Sequence, residues 1–172
     1  MTVVCKHASM RSYNQLYFDC LFQPLIELGY VGSIVGESMI GSQLVYDENV
    51  DHVHMTGGKA THDIIVWGLG DETQRRNKAN GTPVLKKPMT SELGCVTPWV
   101  ITPGVWSEDE LRHHAQQLCV CFIANLGCNC LSPKVVVLPT QDCWPQRAKF
   151  LAMLVEEIEA KPLLPPYYPG MH

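Results

Sequence analysis

Short apolar runs alternate with helical segments through the first 67 residues, and this alternation constrains the fold more than any other feature of the chain. The apolar runs predict strands at residues 2–5, 30–35 and 51–55. The segments between and after them predict helices at residues 13–28, 38–46 (with Ser38 as a possible N-cap) and 60–67. This order is typical of an open parallel α/β sheet, which binds ligands beyond the carboxyl ends of its strands.

The second half of the chain gives a less regular pattern. Residues 69–83 are polar and rich in Gly, Asn and Pro, which predicts a surface loop, or a helix end followed by a loop. Residues 84–88 and 95–101 are predicted as strands on either side of a turn that carries Glu92. A helix capped by Ser107 and Glu110, a strand at 134–138 and a helix at 144–159 follow. The proline-rich tail from Pro162 is not expected to form a packed element alone.

Composition and charge exclude several classes of function. A net charge of -4 and a pI near 5.9 give no support to nucleic acid or an anionic membrane as a partner. The first residues do not resemble a signal peptide, and no apolar run reaches the length of about 18 residues that a transmembrane helix needs. We therefore expect a cytoplasmic protein.

Eight cysteines raise the question of a metal site or a set of disulfides. The spacing C-x-C occurs twice, but C-x-x-C does not occur. One cluster could be drawn as a zinc site, yet its spacing matches no common structural pattern: His113, His114, Cys121, Cys128 and Cys130. Reduced thiols without a bound metal are the expectation.

Two short segments carry residues suited to nucleophilic catalysis. The first is Ser-Glu-Leu-Gly, with the carboxylate of Glu92, and the second is Asn-Leu-Gly-Cys-Asn-Cys, which ends at Cys130. A thiol that attacks a carbonyl must first lose its proton, and a nearby carboxylate can take that proton or later activate water. Each residue also has a plain interpretation, namely a surface carboxylate and a packed thiol. The residues alone leave both interpretations open.

Four segments in order resemble those of the aldehyde dehydrogenase superfamily. VDHVHMTGG is similar to the family's V-D-x-V-x-F-T-G-S segment, and SELGC is similar to its E-L-G-G segment. NLGCNC lies where the family has its N-x-G-Q-x-C cysteine loop, and Lys6 matches a strand-end lysine. The segments THDIIVWG, PGVWS, WPQ and YYPG add to the likeness, which runs from about Val3 to Gly170 and indicates a divergent branch.

The resemblance implies a fold and a division into domains. The fold class is α/β, a partial Rossmann-like open parallel sheet that runs into the start of the catalytic domain. Residues 1–95 would be the C-terminal part of the nucleotide-binding domain. Residues 96–172 would be the N-terminal part of the catalytic domain, which bears the cysteine. A full-length member is longer at both ends, so we expect an incomplete chain that is inactive in isolation.

The resemblance also implies a role for each site residue. Cys130 would form a thiohemiacetal with an aldehyde, pass a hydride to NAD or NADP and hold the acyl group as a thioester, and Glu92 would be the general base. Three contacts to the cofactor are implied by the positions that match the family's motifs. Lys6 would contact the adenosine ribose, Gly57 and Gly58 the pyrophosphate, and the backbone of Leu93 the nicotinamide. The partner is a small aldehyde, and the parent enzyme would be a homo-oligomer.

Three substitutions depart from the family pattern. Gly58 replaces a serine, Cys95 replaces the second glycine of E-L-G-G, and Cys128 replaces the glutamine of the cysteine loop. The last of these leaves open whether Cys128 or Cys130 is the nucleophile, although the following strand aligns better with Cys130. A non-catalytic truncated or pseudoenzyme binding module and a CoA-acylating aldehyde dehydrogenase stay as alternatives.

Overall fold

The computed structural model describes residues 1–162, 164, 165 and 168. The chain forms two compact units, Met1–Glu92 and Leu93–His172, and each combines helices with short strands. The α/β class expected from the sequence is therefore confirmed. Whether the units correspond to a nucleotide-binding and a catalytic domain stays a prediction. Of the YYPG motif, only Tyr168 is among the described residues. No helix in the described part of the chain combines the length and the apolar character that crossing a membrane requires.

The first unit contains most of the predicted alternation of strands and helices. Its elements are β1 (Val3–Lys6), α1 (Asn14–Glu27), β2 (Val31–Ile34), α2 (Ser38–Tyr46), β3 (Val53–Gly57), α3 (Lys59–Trp67), α4 (Asp71–Asn80) and β4 (Met89–Leu93), whose last residue lies across the unit boundary. β1 pairs with β2 in parallel, in a register that runs from Val3 opposite Val31 to Lys6 opposite Ile34. β3 pairs with β4.

The second unit has two helices and one further strand pair. Its elements are β5 (Pro98–Val100), α5 (Glu108–Ile123), a 3-10 turn (Ala124–Gly127), β6 (Val135–Val137) and α6 (Arg147–Glu159). β5 and β6 are parallel, with Pro98 opposite Val135. The described strands therefore pair two by two rather than in one continuous sheet.

Of the two structures predicted for residues 69–83, the surface loop is wrong, because α4 occupies most of the segment, and the alternative of a helix end followed by a loop is closer to the structure. Asp71 and Glu72 lie in its first turn and Lys78 in its last, where each charge stabilises the helix dipole. Gly81 ends the helix with a φ of 63°, in the left-handed conformation that glycine adopts most readily. The prediction gave weight to the Gly and Asn content and neglected this charge pattern. Ser38 is also not an N-cap, since that position belongs to Glu37.

The strand at residues 84–88 and the turn carrying Glu92 were wrong as well. The carbonyl of Pro88 accepts a hydrogen bond from the amide of Val53 (3.1 Å), so the pairing with β3 starts there and β4 extends through Glu92. The helix predicted from residue 144 begins only at Arg147.

Helix α1 is apolar on two faces. Phe18 and Phe22 turn inwards with their ring centroids 4.5 Å apart, and Phe18 also meets the ring of buried His7 edge to face at 5.0 Å. Leu16, Tyr17 and Leu21 point outwards, each with 74% of its surface exposed. The helix was predicted correctly, but its apolar residues do not all face the interior.

The main core lies in the second unit, where α5 packs on α6. Its buried residues are Ile101, Leu111, Ala115, Leu118, Cys119, Trp144, Phe150, Met153 and Leu154. The predicted capping box at the start of α5 is confirmed: the amide of Glu110 donates to Ser107 Oγ (3.3 Å), and the amide of Ser107 donates to Glu110 Oε2 (2.7 Å). These bonds satisfy two amides that the helix leaves unpaired.

The PGVWS and WPQ motifs meet in this core. Gln146 accepts a hydrogen bond from the amide of Trp106 (2.9 Å) and donates one to its carbonyl (2.6 Å). Trp144 donates from its indole nitrogen to the carbonyl of Gly104 (3.0 Å), and its ring lies 5.2 Å from that of Trp106. The side chains of one motif thus fix the backbone of the other.

Candidate functional site

The cysteine loop, residues 124–134, follows α5 and leads into β6. Three consecutive residues in it have positive φ angles: Asn125 (48°), Leu126 (52°) and Gly127 (73°). A residue with a Cβ atom pays roughly 1–2 kcal/mol for this conformation, asparagine less than leucine. Such backbone persists only where neighbouring groups hold it, and it is concentrated at functional sites.

Hydrogen bonds from both ends of the loop hold this backbone. Asn125 donates from its side chain to that of Asn129 (2.7 Å), and its carbonyl accepts from the amide of Cys128 (3.0 Å). Lys134 donates from Nζ to the carbonyl of Gly127 (2.7 Å). Lys134 therefore positions the turn that precedes the two cysteines. Lys134 is not among the site residues predicted from the sequence, although its place directly before the apolar strand β6 was a signal for it.

Cys130 lies in the exposed turn after the strained residues, and Cys128 is exposed as well. Accessibility therefore does not distinguish the two as nucleophile. The carbonyl of Cys130 accepts a hydrogen bond from Cys95 Sγ (3.1 Å). The sequence marks Cys95 only as a departure from the family pattern. Its contact with Cys130 could not be predicted, because that contact depends on how β5 and β6 pair.

Glu92 is the fourth residue of β4, with an exposed side chain, and Leu93 is the half-buried last residue. Since alternate side chains of a strand share a face, Glu92 lies on the face of Thr90. Thr90 Oγ1 is 2.8 Å from Nδ1 of His54 on the neighbouring strand. Glu92 is thus presented to solvent from a paired strand rather than from a turn.

Lys6 is the last residue of β1, at the carboxyl end of the β1–β2 pair. Its stem lies against α2 where Gly41 has no side chain, since a Cβ there would be 3.4 Å from Cδ and Cε of Lys6. Its ammonium group donates to the carbonyl of His7 (3.1 Å). The position fits a contact to a ligand bound beyond the strand ends.

Gly57 and Gly58 connect β3 to α3. Gly57 ends the strand, and Gly58 is the N-cap of the helix, with no side chain to bond the first amides. A Cβ placed on Gly58 would meet no atom within 4 Å. The start of α3 is therefore open on this side, and helix amides at such a terminus can bind an anion such as a phosphate.

Asp63 is a buried carboxylate in α3 that sequence analysis did not single out. It accepts hydrogen bonds from Lys59, one helical turn earlier, and from Lys78 of α4 (2.8 Å). These two bonds hold the pKa of Asp63 well below its usual range, and His62 (3.2 Å) adds to the effect. The group ties α3 to α4, and the i, i+4 spacing of Lys59 and Asp63 was its only sequence signal.

The proposed site residues are divided between the two units. Lys6, Gly57, Gly58 and Glu92 lie in the first, and Leu93 and Cys130 lie in the second. None of the eight cysteines is paired in a disulfide. Among residues 1–162, 164, 165 and 168, no group of three or more His, Cys, Asp or Glu side chains is arranged to hold a metal ion.

Solved structures of aldehyde dehydrogenases match this chain over nearly its whole length. The match to gamma-glutamyl-gamma-aminobutyraldehyde dehydrogenase from Burkholderia cenocepacia J2315 has a TM-score of 0.70 and 20% identity, and covers 98% of this chain and 30% of that one. A mutant of aldehyde dehydrogenase C from Pseudomonas syringae, in complex with NAD+ and octanal, matches with a TM-score of 0.67 and 18% identity. That match covers 92% of this chain and 29% of the enzyme.

A third match is NADP-dependent glyceraldehyde-3-phosphate dehydrogenase from Bacillus halodurans C-125, complexed with NADP. Its TM-score is 0.65 and its identity 22%, and it covers 92% of this chain and 29% of that one. No protein-family model and no curated protein sequence matches the chain. The chain thus spans about 30% of the length of the enzymes it matches, and over that span it has the aldehyde dehydrogenase fold.

Proposed function

We propose that this chain carries the part of an NAD(P)-dependent aldehyde dehydrogenase that runs from a ribose-binding lysine to the nucleophilic cysteine. The observation that carries the proposal is the structural match over 98% of the chain. The order of the four sequence segments, from Lys6 through Gly57 and Glu92 to Cys130, supports it. The reaction is the oxidation of a small aldehyde to a carboxylic acid. The parent enzyme is proposed to be a cytoplasmic homo-oligomer.

In this proposal Cys130 is the nucleophile. Its thiolate attacks the aldehyde carbonyl to give a thiohemiacetal, which loses hydride to become a thioester. Glu92 takes the proton of the thiol or of the water that later releases the acid. The exposed position of Cys130 after a strained turn supports access by substrate. Backbone amides of the same turn are of the type that stabilises an oxyanion.

The proposed cofactor is NAD or NADP, which supplies the hydride acceptor when bound. Lys6 would contact its ribose, and the opening at Gly57 and Gly58 would receive its pyrophosphate. The backbone of Leu93 would lie beside the nicotinamide. The open space over Gly58 and the uncapped start of α3 fit a phosphate group. Glycine at position 58 supplies no hydroxyl, so the backbone amides carry this contact.

The isolated 172-residue chain is proposed to have no aldehyde dehydrogenase activity, because the proposed site includes no side-chain donor for the oxyanion. The test is formation of NADH or NADPH by the purified chain with a short aliphatic aldehyde. The expected result is none above background. Aldehyde-dependent formation of reduced cofactor would refute this part of the proposal.

The nucleophile is tested separately with an activated ester, para-nitrophenyl acetate, which needs no cofactor. A reactive thiol displaces nitrophenolate and becomes an acetyl thioester. We expect mass spectrometry to locate the acetyl group on Cys130, and Cys130→Ser to abolish the adduct. Cys128→Ser is the matched control and should retain it. Acetylation at Cys128, or equal acetylation of the exposed cysteines, would contradict the assignment.

A non-catalytic binding module is the second candidate. The replacements at Gly58, Cys95 and Cys128 favour it, because each changes a position beside the proposed chemistry. This candidate expects no selective acetylation at any cysteine. A CoA-acylating enzyme would instead show the acetyl group on Cys130 and transfer it to added CoA.

A further inference from the structure

Cys95 and Cys130 are brought together by the strand pair of the second unit. Cys95 precedes β5 and Cys130 precedes β6, and the two strands start side by side, with Pro98 opposite Val135. The amide of Lys134 donates to the carbonyl of Val96 (2.9 Å), which extends the pairing toward both cysteines. The two thiols therefore lie at the same end of one parallel pair.

The sulfur of Cys95 is already in contact with the residue it would have to join. Its distance to the carbonyl oxygen of Cys130 is 3.1 Å. Since a carbonyl oxygen lies about 2.4 Å from its own Cα by standard bond lengths, the sulfur is within about 5.5 Å of the Cα of Cys130. The sulfur lies about 2.8 Å from its own Cα, so the Cα–Cα distance between Cys95 and Cys130 is below about 8.3 Å by the same bond lengths. Disulfides span Cα–Cα distances of roughly 4.4–6.8 Å, so the bond requires rotation about the side-chain bonds together with a shift of the exposed loop that closes any remaining difference.

Thr97 gives a second, independent feature at this point. Its hydroxyl oxygen is 2.7 Å from Cys95 Sγ, and its φ is 45°, an outlier for a β-branched residue. Both contacts of Cys95 are satisfied together when Thr97 donates to the sulfur and the thiol donates to the carbonyl of Cys130. The strained backbone at Thr97 thus holds the Cys95 thiol against the cysteine loop.

We infer that Cys95 and Cys130 form a peroxide-reactive dithiol site, in which Cys95 resolves oxidised Cys130 as an intramolecular disulfide. The thiolate of Cys130 attacks one oxygen of hydrogen peroxide, so an S–O bond forms, the O–O bond breaks and hydroxide leaves. The thiolate of Cys95 then attacks the sulfenic sulfur, forming the S–S bond and releasing a second hydroxide. The two thiols lose two electrons, and the peroxide becomes two molecules of water once the protons are counted.

Both thiols are exposed, so peroxide and a reducing thiol can reach them. The inference does not depend on the proposed dehydrogenase activity, because it requires only the geometry of the second unit. If it is correct, brief oxidation protects Cys130 from further, irreversible oxidation. The replacement of a family glycine by Cys95 then has a chemical consequence.

The experiment treats the purified full chain with one equivalent of hydrogen peroxide and analyses it by mass spectrometry without reduction. We expect the mass to fall by two hydrogen atoms, with tandem spectra that join Cys95 to Cys130. Dithiothreitol should restore both thiols. The Cys128→Ser and Cys143→Ser controls should behave as the parent chain does.

Cys95→Ser should prevent the disulfide and leave Cys130 carrying oxygen that dithiothreitol no longer removes after longer exposure. Circular dichroism of this variant checks that it is folded. If it does not fold, the disulfide located by tandem mass spectrometry in the parent chain still tests the inference. A disulfide that joins Cys95 to Cys128 or Cys128 to Cys130, or no loss of thiols in the parent, would overturn the inference.

Discussion

Replacement of Phe150 by alanine tests the core of the second unit. Phe150 is completely buried, and its ring centroid lies 5.5 Å from that of Trp144 and 6.3 Å from that of Trp106. Truncation of a buried phenylalanine removes apolar burial and leaves a cavity, at a cost of about 3–5 kcal/mol. The aromatic contacts contribute roughly 0.5–1.5 kcal/mol to that figure. We therefore expect Phe150→Ala to lower the free energy of unfolding by about 3–5 kcal/mol.

Urea unfolding followed by tryptophan fluorescence and circular dichroism measures this loss. Val155→Ala is the matched control, because Val155 lies on the same helix with half of its surface exposed, and it should cost under about 1 kcal/mol. Phe150→Leu, which keeps much of the volume, should fall between the two and remains measurable if the alanine variant is largely unfolded. A loss at Phe150→Ala no larger than at Val155→Ala would refute the assignment of this core.

Two further predictions concern electrostatics and capping. Asp63→Asn removes the carboxylate that accepts hydrogen bonds from Lys59 and Lys78. Because folding lowers the pKa of Asp63, the parent chain should be more stable than the variant by a constant amount above about pH 5. This difference in stability should shrink as the pH falls below the ordinary carboxyl pKa of about 3.9. Unfolding midpoints measured from pH 7 to pH 3 check this, and a constant difference would contradict it. Ser107→Ala breaks the capping box with Glu110 and should cost about 1 kcal/mol in urea unfolding, whereas Ser107→Thr should cost less; equal losses would count against the cap.

Local patterns in the sequence were enough to predict most helices and strands. β-branched residues at the start of the chain indicated β1 and β2, and the serine and glutamate at the start of α5 indicated the cap that the structure contains. The strand and turn predicted at residues 84–94 were wrong because a partner distant in sequence decides the structure there. β4 is a strand because it pairs with β3, and the amide of Val53 that fixes this pairing is remote from residues 84–94.

The candidate site was predictable in its residue types but not in its geometry. The glycines at 57 and 58 stand between a strand and a helix, as their sequence context indicated. The strained turn at Asn125 and Leu126 could not be predicted, because neither residue type requires a positive φ. The contact of Cys95 with Cys130 joins residues 35 positions apart and follows from strand pairing alone.

The central claim, that Cys130 is the nucleophile and Glu92 its base, is tested most directly by the alkylation rates of the eight cysteines. Limiting iodoacetamide and quantitative peptide mass spectrometry give a rate for each thiol in the folded chain. Because an activated thiol reacts faster than one that is merely exposed, Cys130 should react about tenfold faster than exposed Cys128 and Cys143, and Glu92→Gln should reduce this advantage. Similar rates at Cys128, Cys130 and Cys143, or a fastest rate at Cys128, would contradict the account.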